Sequence, residues 1–328
     1  MKQQAQRDIN PFRYSDTNKR YHTYDYYMRH AFGGKCVKIP LDAGFTCPNI
    51  DGTCGRGGCI YCSGRGSGDF AAPATLPIAE QYRVMRAQMA KKWSVERCIP
   101  YFQARTNTYA APARLRALWE EALMLPGAVG LNIATRADCL PKPVLYELAR
   151  ISEKTVLTVE LGLQTVHDQT ATRINRGHSF AQFEEGYRRL RERVPHARVS
   201  FHTILGLIGE SDEMMVKTAQ NIARLQPDEV KLHLLYVLEG TEMAQIYRNG
   251  GYMPLDLERY VRLVVHTLEL LPPEVVVGRL TGDGPRNTLL APRWSQNKIQ
   301  ILNEIDKKFY ETNSYQGKNC LLRAIEDS

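Results

Sequence analysis

Four of the eight cysteines lie in one short glycine-rich stretch, residues 47–62. They are Cys47, Cys54, Cys59 and Cys62, and the last two have Cys-x-x-Cys spacing. Thiolates are soft ligands that suit iron–sulfur clusters and zinc. Three of them can hold three irons of a 4Fe-4S cube and leave the fourth iron open to a small molecule. The stretch therefore predicts a metal centre.

The remaining cysteines do not indicate a disulfide framework. Cys36, Cys98 and Cys139 each lie in or beside an apolar run, where a free cysteine usually behaves as a small buried side chain. The N-terminus lacks the apolar core of a secretory signal, and no run approaches the roughly 20 apolar residues that span a bilayer. We therefore expect a soluble, cytoplasmic protein with reduced thiols and no membrane contact.

The elements that must position these cysteines alternate between strands and helices. Seven short β-rich runs are separated by segments of helical periodicity, and they span residues 36–41, 98–103, 129–133, 155–161, 199–205, 230–235 and 275–280. Such alternation favours parallel strands joined by right-handed crossovers. The sequence predicts an α/β fold, a partial (β/α)6 TIM-like barrel, with its chemistry at the carboxyl ends of the strands.

We expect terminal additions on either side of the barrel. The predicted division is an aromatic and basic extension at residues 1–30, the partial barrel at 31–255 and a C-terminal αβ extension at 256–328. Basic residues mixed with tyrosines can grip RNA, but aromatic side chains usually find a core. We favour an N-terminal segment that packs on the bottom or edge of the barrel.

Charge gives a weaker indication of the partner. The 328 residues include 43 Lys and Arg against 35 Asp and Glu, a formal net charge of +8 that suits an anionic partner without requiring one. The basic tract at 188–193 could grip phosphates. A solvated helix face is the favoured interpretation of that tract.

Nine stretches of the sequence carry a family resemblance: residues 38–49, 51–53, 56–62, 101–103, 106–110, 160–164, 175–178, 202–207 and 279–283. The segment Cys59-Ile60-Tyr61-Cys62 lies in one of them, and Arg279-Leu280-Thr281-Gly282-Asp283 is another. Together they resemble the radical S-adenosylmethionine (radical SAM) superfamily, and within it the Elongator-related YhcC/YtqA-like branch. The resemblance runs from about residue 20 to 302.

The resemblance assigns a 4Fe-4S cluster to Cys47, Cys59 and Cys62. Cys54 departs from the family pattern, and it is either a bystander, which we favour, or the fourth ligand of a zinc site. In the zinc alternative the chain would be a non-enzymatic zinc module.

The resemblance also implies a site for S-adenosylmethionine. Tyr61 is expected to back the adenine, Thr106 to meet the amino group, Gln164 to reach the ribose or methionine end, and Arg176 to pair with the carboxylate. The complete set of expected cofactor-binding residues is Tyr61, Thr106, Asn107, Glu160, Gln164, Arg176, His202 and Gly206.

Five further residues lie outside this set. Ala104 and Arg105 stand where the resemblance leads us to expect glycines. His167, His178 and His233 have no partners at ligand spacing, and we interpret them as structural.

The family chemistry is reductive cleavage of S-adenosylmethionine at the cluster to form a 5'-deoxyadenosyl radical. The Elongator relation implies wobble-uridine modification of tRNA, the conversion of a carboxymethylaminomethyl to an aminomethyl side chain. Expected partners are tRNA, a reductant such as flavodoxin or ferredoxin, and a downstream tRNA methyltransferase. A radical SAM enzyme that acts on a small metabolite or a protein is the alternative.

Overall fold

A curled sheet of seven parallel strands forms the centre of the molecule. The computed structural model describes residues 10–66, 70–282 and 284–320. The strand order is β1-β2-β3-β4-β5-β6-β8, and neighbouring strands pair in parallel throughout. The strands are β1 Val37–Leu41, β2 Cys98–Phe102, β3 Gly130–Thr135, β4 Val156–Gln164, β5 Arg198–Leu205, β6 Glu229–Leu234 and β8 Val276–Arg279. A separate antiparallel pair joins β7 Val237–Leu238 to β9 Leu289–Ala291.

Ten helices connect and flank the strands in the described part of the chain. They are α1 Tyr24–Phe32, α2 Ile78–Ala90, α3 Pro112–Leu123, α4 Lys142–Ser152, α5 Asp168–Arg173, α6 Phe180–Arg193, α7 Asp212–Leu225, α8 Glu242–Arg248, α9 Leu257–Leu270 and α10 Lys298–Glu311. Side-chain oxygens cap several of them: Ser179 begins α6 with a capping box, Ser211 begins α7, and Asp256 begins α9.

The outer face of the sheet is apolar and packs against these helices. Ile39, Leu131, Val159 and Phe201 alternate along their strands and are fully buried. Because side chains in a strand point to opposite faces in turn, the residues between them face the concave side. That concave side is polar, and it carries Lys38, Tyr101, Asn132, Glu160, His202, Lys231 and His233.

Side-chain contacts across the concave face show that the sheet is strongly curved. The ammonium groups of Lys38 on β1 and Lys231 on β6 lie 3.2 and 2.5 Å from Glu160 on β4. Strands that are five places apart in the sheet can share one carboxylate only if the sheet curls into part of a barrel. The predicted partial barrel is confirmed, and each of the seven β-rich runs of the sequence corresponds to a strand.

The segment predicted as a C-terminal extension, residues 256–328, contributes a strand to the central sheet. Strand β8, which lies in the segment 256–328, pairs with β6 and completes the sheet as its seventh strand. Helix α10 then packs on α9, outside the barrel.

The N-terminal segment closes the bottom of the barrel, at the amino ends of the strands. Thr23 forms a parallel bridge to Val277 of β8, and Tyr21 is buried. The ring of Tyr24 lies over the Lys38 ammonium, 4.3 Å from it. The structure therefore favours the packed interpretation of this segment. No helix in the described residues is long and apolar enough to cross a membrane.

Candidate active site

The cysteine-rich loop follows β1 and is held by a buried amide network. Asn49 is fully buried, and its side chain donates to the Asn175 carbonyl and to the Cys59 sulfur, 3.8 Å away. Asn175, which has a left-handed φ of 52°, donates in return to the carbonyls of Arg56 and Gly58. The loop after β1 is thus tied to the loop after α5.

Nitrogen donors face the sulfur atoms of this loop. The guanidinium of Arg136 lies 4.0 Å from the Cys47 sulfur and 3.6 Å from the Cys54 sulfur. Asp138 fixes that guanidinium through two hydrogen bonds of 3.0 and 2.7 Å. Since a guanidinium stabilises a nearby thiolate, this corner of the loop suits anionic sulfur ligands.

The two cysteines of the Cys-x-x-Cys pair are in contact. The hydrogen bond from Cys62 lowers the pKa of Cys59 to about 7, against the opposing effect of burial, and the same bond raises the pKa of Cys62. Hydrogen bonds to sulfur are among the interactions that tune an iron–sulfur cluster. The thiols and their donors therefore fit a cluster. In the described residues no three Cys, His, Asp or Glu side chains are placed to hold a single metal ion.

The loop after β2 contains a strained backbone beside the cysteine-rich loop. Ala104 and Arg105 have φ values of 71° and 61°, in the left-handed region that costs L residues about 1–2 kcal/mol each. Arg105 donates to the Gly64 carbonyl at 2.7 Å, which joins the two loops. Glycine adopts a left-handed φ without this cost, so the backbone explains why the resemblance leads us to expect glycine at these two positions.

Two polar side chains in this loop have buried oxygens with no partner. The hydroxyl of Thr106 and the amide oxygen of Asn107 are buried without a hydrogen bond. The Asn107 amide nitrogen is used internally, since it donates to the carbonyls of Ala104 and Ala134. Buried oxygens without a donor are costly, so their pairing with a ligand would stabilise the loop.

Gln164 ends β4 and Arg176 lies in the segment after it, and both contact nearby backbone carbonyls. With its nitrogen toward the strand, the Gln164 amide donates to the carbonyls of Gly162 and Leu163 at 2.9 and 3.2 Å. Arg176 is 1% exposed and makes four hydrogen bonds to the carbonyls of Leu163, Thr165 and His178. Arg176 fixes the loop in this structure, and its guanidinium is not directed to an open rim.

Glu160 lies below this rim as the acceptor of a buried network. Tyr101 donates to it at 2.5 Å and Asn132 at 3.1 Å, in addition to the two lysines. Burial raises the pKa of Glu160, but Lys231 and Lys38 outweigh burial and hold it below its usual range. The carboxylate is thus ionised and fully paired.

His202 lies on the concave face one strand away and contacts His233. The two rings are 4.1 Å apart, and the Nε2 atom of His202 is buried without a partner. Burial, with help from Lys231 and Arg279, lowers the pKa of His202 to about 3, so its ring is neutral at neutral pH.

Tyr61 and Gly206 complete the expected set, in the loops after β1 and β5. Tyr61, within the Cys-x-x-Cys segment, packs against a second apolar cluster that includes Ile60, Ile174 and Leu207. Gly206 has a φ of 80°, its carbonyl accepts from Tyr252 at 2.7 Å, and a Cβ there would lie 3.0 Å from Leu255. Both a left-handed φ and a close neighbour favour glycine at this position.

Family comparisons agree with this geometry. The profile described as "Radical SAM superfamily" matches residues 50–222, and that described as "Radical_SAM C-terminal domain" matches residues 227–311. The chain belongs to the radical SAM superfamily.

The relatives of this radical SAM protein include bacterial and archaeal proteins. It is 47% identical to "Uncharacterized protein YtqA" of Bacillus subtilis over 94% of this chain and 95% of that protein. It is 25% identical to the "tRNA uridine(34) acetyltransferase" of Methanocaldococcus jannaschii over 60% of this chain but only 35% of that protein. The chain also resembles a solved structure of Elp3 from Methanocaldococcus infernus, with a TM-score of 0.61 and 19% identity. The match covers 83% of this chain and 63% of the Elp3 chain, and at this identity it supports the fold alone.

Membership of the superfamily implies a 4Fe-4S cluster and S-adenosylmethionine as cofactors of this radical SAM enzyme. The sequence patterns predicted the thiols and the polar loop after β2, but they did not predict the roles of Arg136 or Arg279. Arg279, at the end of β8, has its guanidinium 3.2 Å from His233. The pattern Lys231-x-His233 within one strand could have indicated a polar inner face, because alternate residues of a strand lie on the same side of the sheet.

Proposed function

We propose that this radical SAM enzyme modifies the wobble uridine of tRNA and converts a carboxymethylaminomethyl side chain to aminomethyl. The similarity to the tRNA uridine(34) acetyltransferase is the observation that carries the substrate class. That similarity covers about a third of the relative, so the acetyl transfer in its name is not carried over to this chain. In this proposal a flavodoxin or ferredoxin supplies electrons and a separate tRNA methyltransferase acts on the product.

Cys47, Cys59 and Cys62 are the proposed cluster ligands. When bound, the cluster and S-adenosylmethionine supply a 5'-deoxyadenosyl radical that removes hydrogen from the substrate. Arg136 supports the site because its guanidinium faces the Cys47 sulfur, while Asn49 donates to Cys59. We assign Cys54 as a bystander, whose sulfur lies 3.6 Å from the Arg136 guanidinium.

The proposed cofactor contacts come from four strand ends. Thr106 and Asn107 offer buried oxygens that suit the ammonium group of S-adenosylmethionine. Tyr61 lies next to the cluster cysteines, and Gly206 allows close approach of the β5 loop. Gln164 and Arg176 contribute by fixing the backbone of the β4 loop, which presents its remaining polar groups to the ligand.

Glu160 and His202 lie lower in the barrel. In the proposal they act beneath the cofactor, where Glu160 positions Lys38 and Lys231.

A basic pocket outside the barrel supports an RNA partner. It has a volume of about 540 Å³ and is lined by residues that include Phe70, Lys92, Arg286 and Lys298. The Phe70 ring is 52% exposed. Exposed aromatic rings among cations are typical of surfaces that stack bases and bind phosphates.

The basic tract of α6 offers less support for RNA binding. Arg188 is paired with Glu185 and Glu192, and Arg191 with Asp228. A helix face whose cations are already paired has less charge to offer to phosphates. The favoured interpretation of this tract, a solvated helix face, agrees with these ion pairs.

The proposal is tested by mass spectrometry of tRNA nucleosides from cells that lack the gene. We expect the carboxymethylaminomethyl nucleoside to accumulate, and a plasmid with the wild-type gene to reverse the accumulation. Cys59→Ala should not reverse it, because a cluster ligand is lost. Cys54→Ala, the matched control within the same loop, should restore it. An unchanged nucleoside profile in the deletion strain would refute the substrate, and equal rescue by both variants would refute the ligand assignment.

A further inference from the structure

Three side chains form a continuous polar row on the concave face of the barrel. Arg279 at the end of β8 contacts His233 on β6, with 3.2 Å between the guanidinium and Nε2. The His233 ring packs edge-on against His202 on β5. Arg279 is paired in register with Lys231, so the row lies directly beside the lysine–glutamate network.

The charges of this concave face do not cancel. Lys231 is paired with Glu160, and Lys38 lies 3.2 Å from Glu160 and 3.6 Å from Glu229. Two ammonium groups therefore face two carboxylates. Arg279 has no carboxylate within 4 Å among the residues that the structure describes, and its recorded polar contact is the neutral ring of His233. Within the described residues, one positive charge on this face is therefore left without a carboxylate partner.

The N-terminal segment covers one end of the concave face, at the amino ends of the strands, where Tyr24 lies over Lys38. Arg279 is the last residue of its strand and therefore lies toward the carboxyl ends, the same end as the cysteine-rich loop. Arg279 lies at the level of Lys231 in the sheet, and its guanidinium reaches toward His233, two residues nearer the carboxyl end of β6.

We propose that Arg279, backed by His233, binds the carboxylate of the substrate side chain inside the barrel. This inference rests on the proposed function, whose substrate carries a carboxylate that its product lacks. A guanidinium matches a carboxylate with two parallel hydrogen bonds and stays charged when water is excluded. The unpaired Nε2 of His202 is the next polar group along the row and completes the lining of this site.

The test is the affinity of the full chain, with its cluster reconstituted, for two anticodon stem-loop RNAs. One RNA carries the carboxymethylaminomethyl uridine and the other the aminomethyl uridine. Wild-type protein should bind the first RNA more tightly. Arg279→Gln should lose roughly 10- to 100-fold in affinity for the carboxylate RNA, the range expected for one hydrogen-bonded charge. Its affinity for the aminomethyl RNA should change little.

Two further variants make the result specific. Arg279→Lys keeps the charge without the planar fork, and it should retain part of the preference. Arg262→Gln removes an exposed arginine of α9 whose guanidinium lies 3.5 Å from Glu258, and it should bind as wild type does. Thermal unfolding of each variant confirms that it is folded.

The outcomes separate this inference from the function on which it rests. A wild-type preference that survives in Arg279→Gln would overturn the role of Arg279 and leave the proposed substrate intact. Equal binding of both RNAs by wild-type protein would overturn the inference as well, and an unchanged nucleoside profile in the deletion strain would then trace that failure to the substrate.

Discussion

At the scale of single residues, neutral and charged groups are placed a few ångströms apart on the concave face. His202 faces Glu160, Lys231, Arg279 and His233 from neighbouring strands. A positive charge on the His202 ring would lie close to two cations, Lys231 and Arg279, in a buried position. The protein therefore holds His202 neutral, and that preference has a measurable effect on stability.

We expect His202 to make the folded state sensitive to acid. Its pKa is about 3 when folded and about 6.5 when unfolded, so between these values the unfolded chain binds a proton that the folded chain does not. Stability from this group is complete above pH 6.5 and is lost as the pH falls toward 3. Between pH 7 and pH 5 the loss is about 2 kcal/mol.

Urea unfolding of His202→Gln at several pH values measures this contribution. The variant should lose about 2 kcal/mol less than wild type over the same interval. His196→Gln, at an exposed position, is the control and should keep the wild-type pH dependence. Parallel curves for wild type and His202→Gln would show that the ring does not carry the effect.

At the scale of elements, Glu160 links strands that are distant in the sheet. It receives hydrogen bonds or ion pairs from β1, β2, β3 and β6. Buried ion pairs add little stability relative to apolar packing, but loss of one partner leaves an uncompensated buried charge. The network therefore fixes how the strands curl, and its cost appears when it is broken.

Glu160→Gln should lower the free energy of unfolding by about 3–5 kcal/mol, because two ammonium groups would then face only Glu229. The double variant Glu160→Gln with Lys231→Gln restores the charge balance and should recover part of that loss. Glu185→Gln on the exposed face of α6 is the control, with an expected change of about 1 kcal/mol or less. Denaturant unfolding measures all three. If Glu160→Gln proved as mild as Glu185→Gln, the network would not be a constraint on the sheet.

The sequence allowed the elements to be predicted more fully than the site. Strands β3 and β6 were predictable because each appears in the sequence as a short run of β-favouring residues, many of which are buried on the outer face. The cluster cysteines were predictable because they lie in one loop. Arg279 and His233 are 46 residues apart and meet only through the parallel pairing of β6 and β8.

Arg176 shows a different limit of sequence reasoning. Its position after β4 was consistent with a ligand contact, yet its guanidinium turns inward to three backbone carbonyls. The direction of a side chain in a loop depends on which carbonyls the folded loop leaves without donors. That information is absent from the spacing of residues along the chain.

At the scale of the whole molecule, a segment before the barrel strands and a segment after them have separate roles. The N-terminal segment covers the barrel bottom, and residues within 284–299 line the basic pocket together with Phe70 and Lys92. The cysteine-rich loop lies at the other end of the barrel, after β1. In the proposed function, an RNA loop would reach the barrel from that end while its backbone rests in the pocket.

The salt dependence of RNA binding locates this backbone contact. The slope of log affinity against log salt reports how many phosphates the protein neutralises, and removal of one contacting cation reduces it by about 1. Lys92→Gln combined with Arg286→Gln should therefore reduce the slope by about 2 and weaken binding of modified and unmodified tRNA alike.

The paired arginines of α6 provide the matched control. Arg188→Gln combined with Arg189→Gln changes the net charge by the same amount as the pocket variant. Both of these arginines have Glu185 as a partner. Because these charges are already neutralised within the helix, the slope should stay at its wild-type value. A smaller slope for the α6 variant and an unchanged slope for the pocket variant would place the RNA on α6 and would show that the pocket does not bind the tRNA.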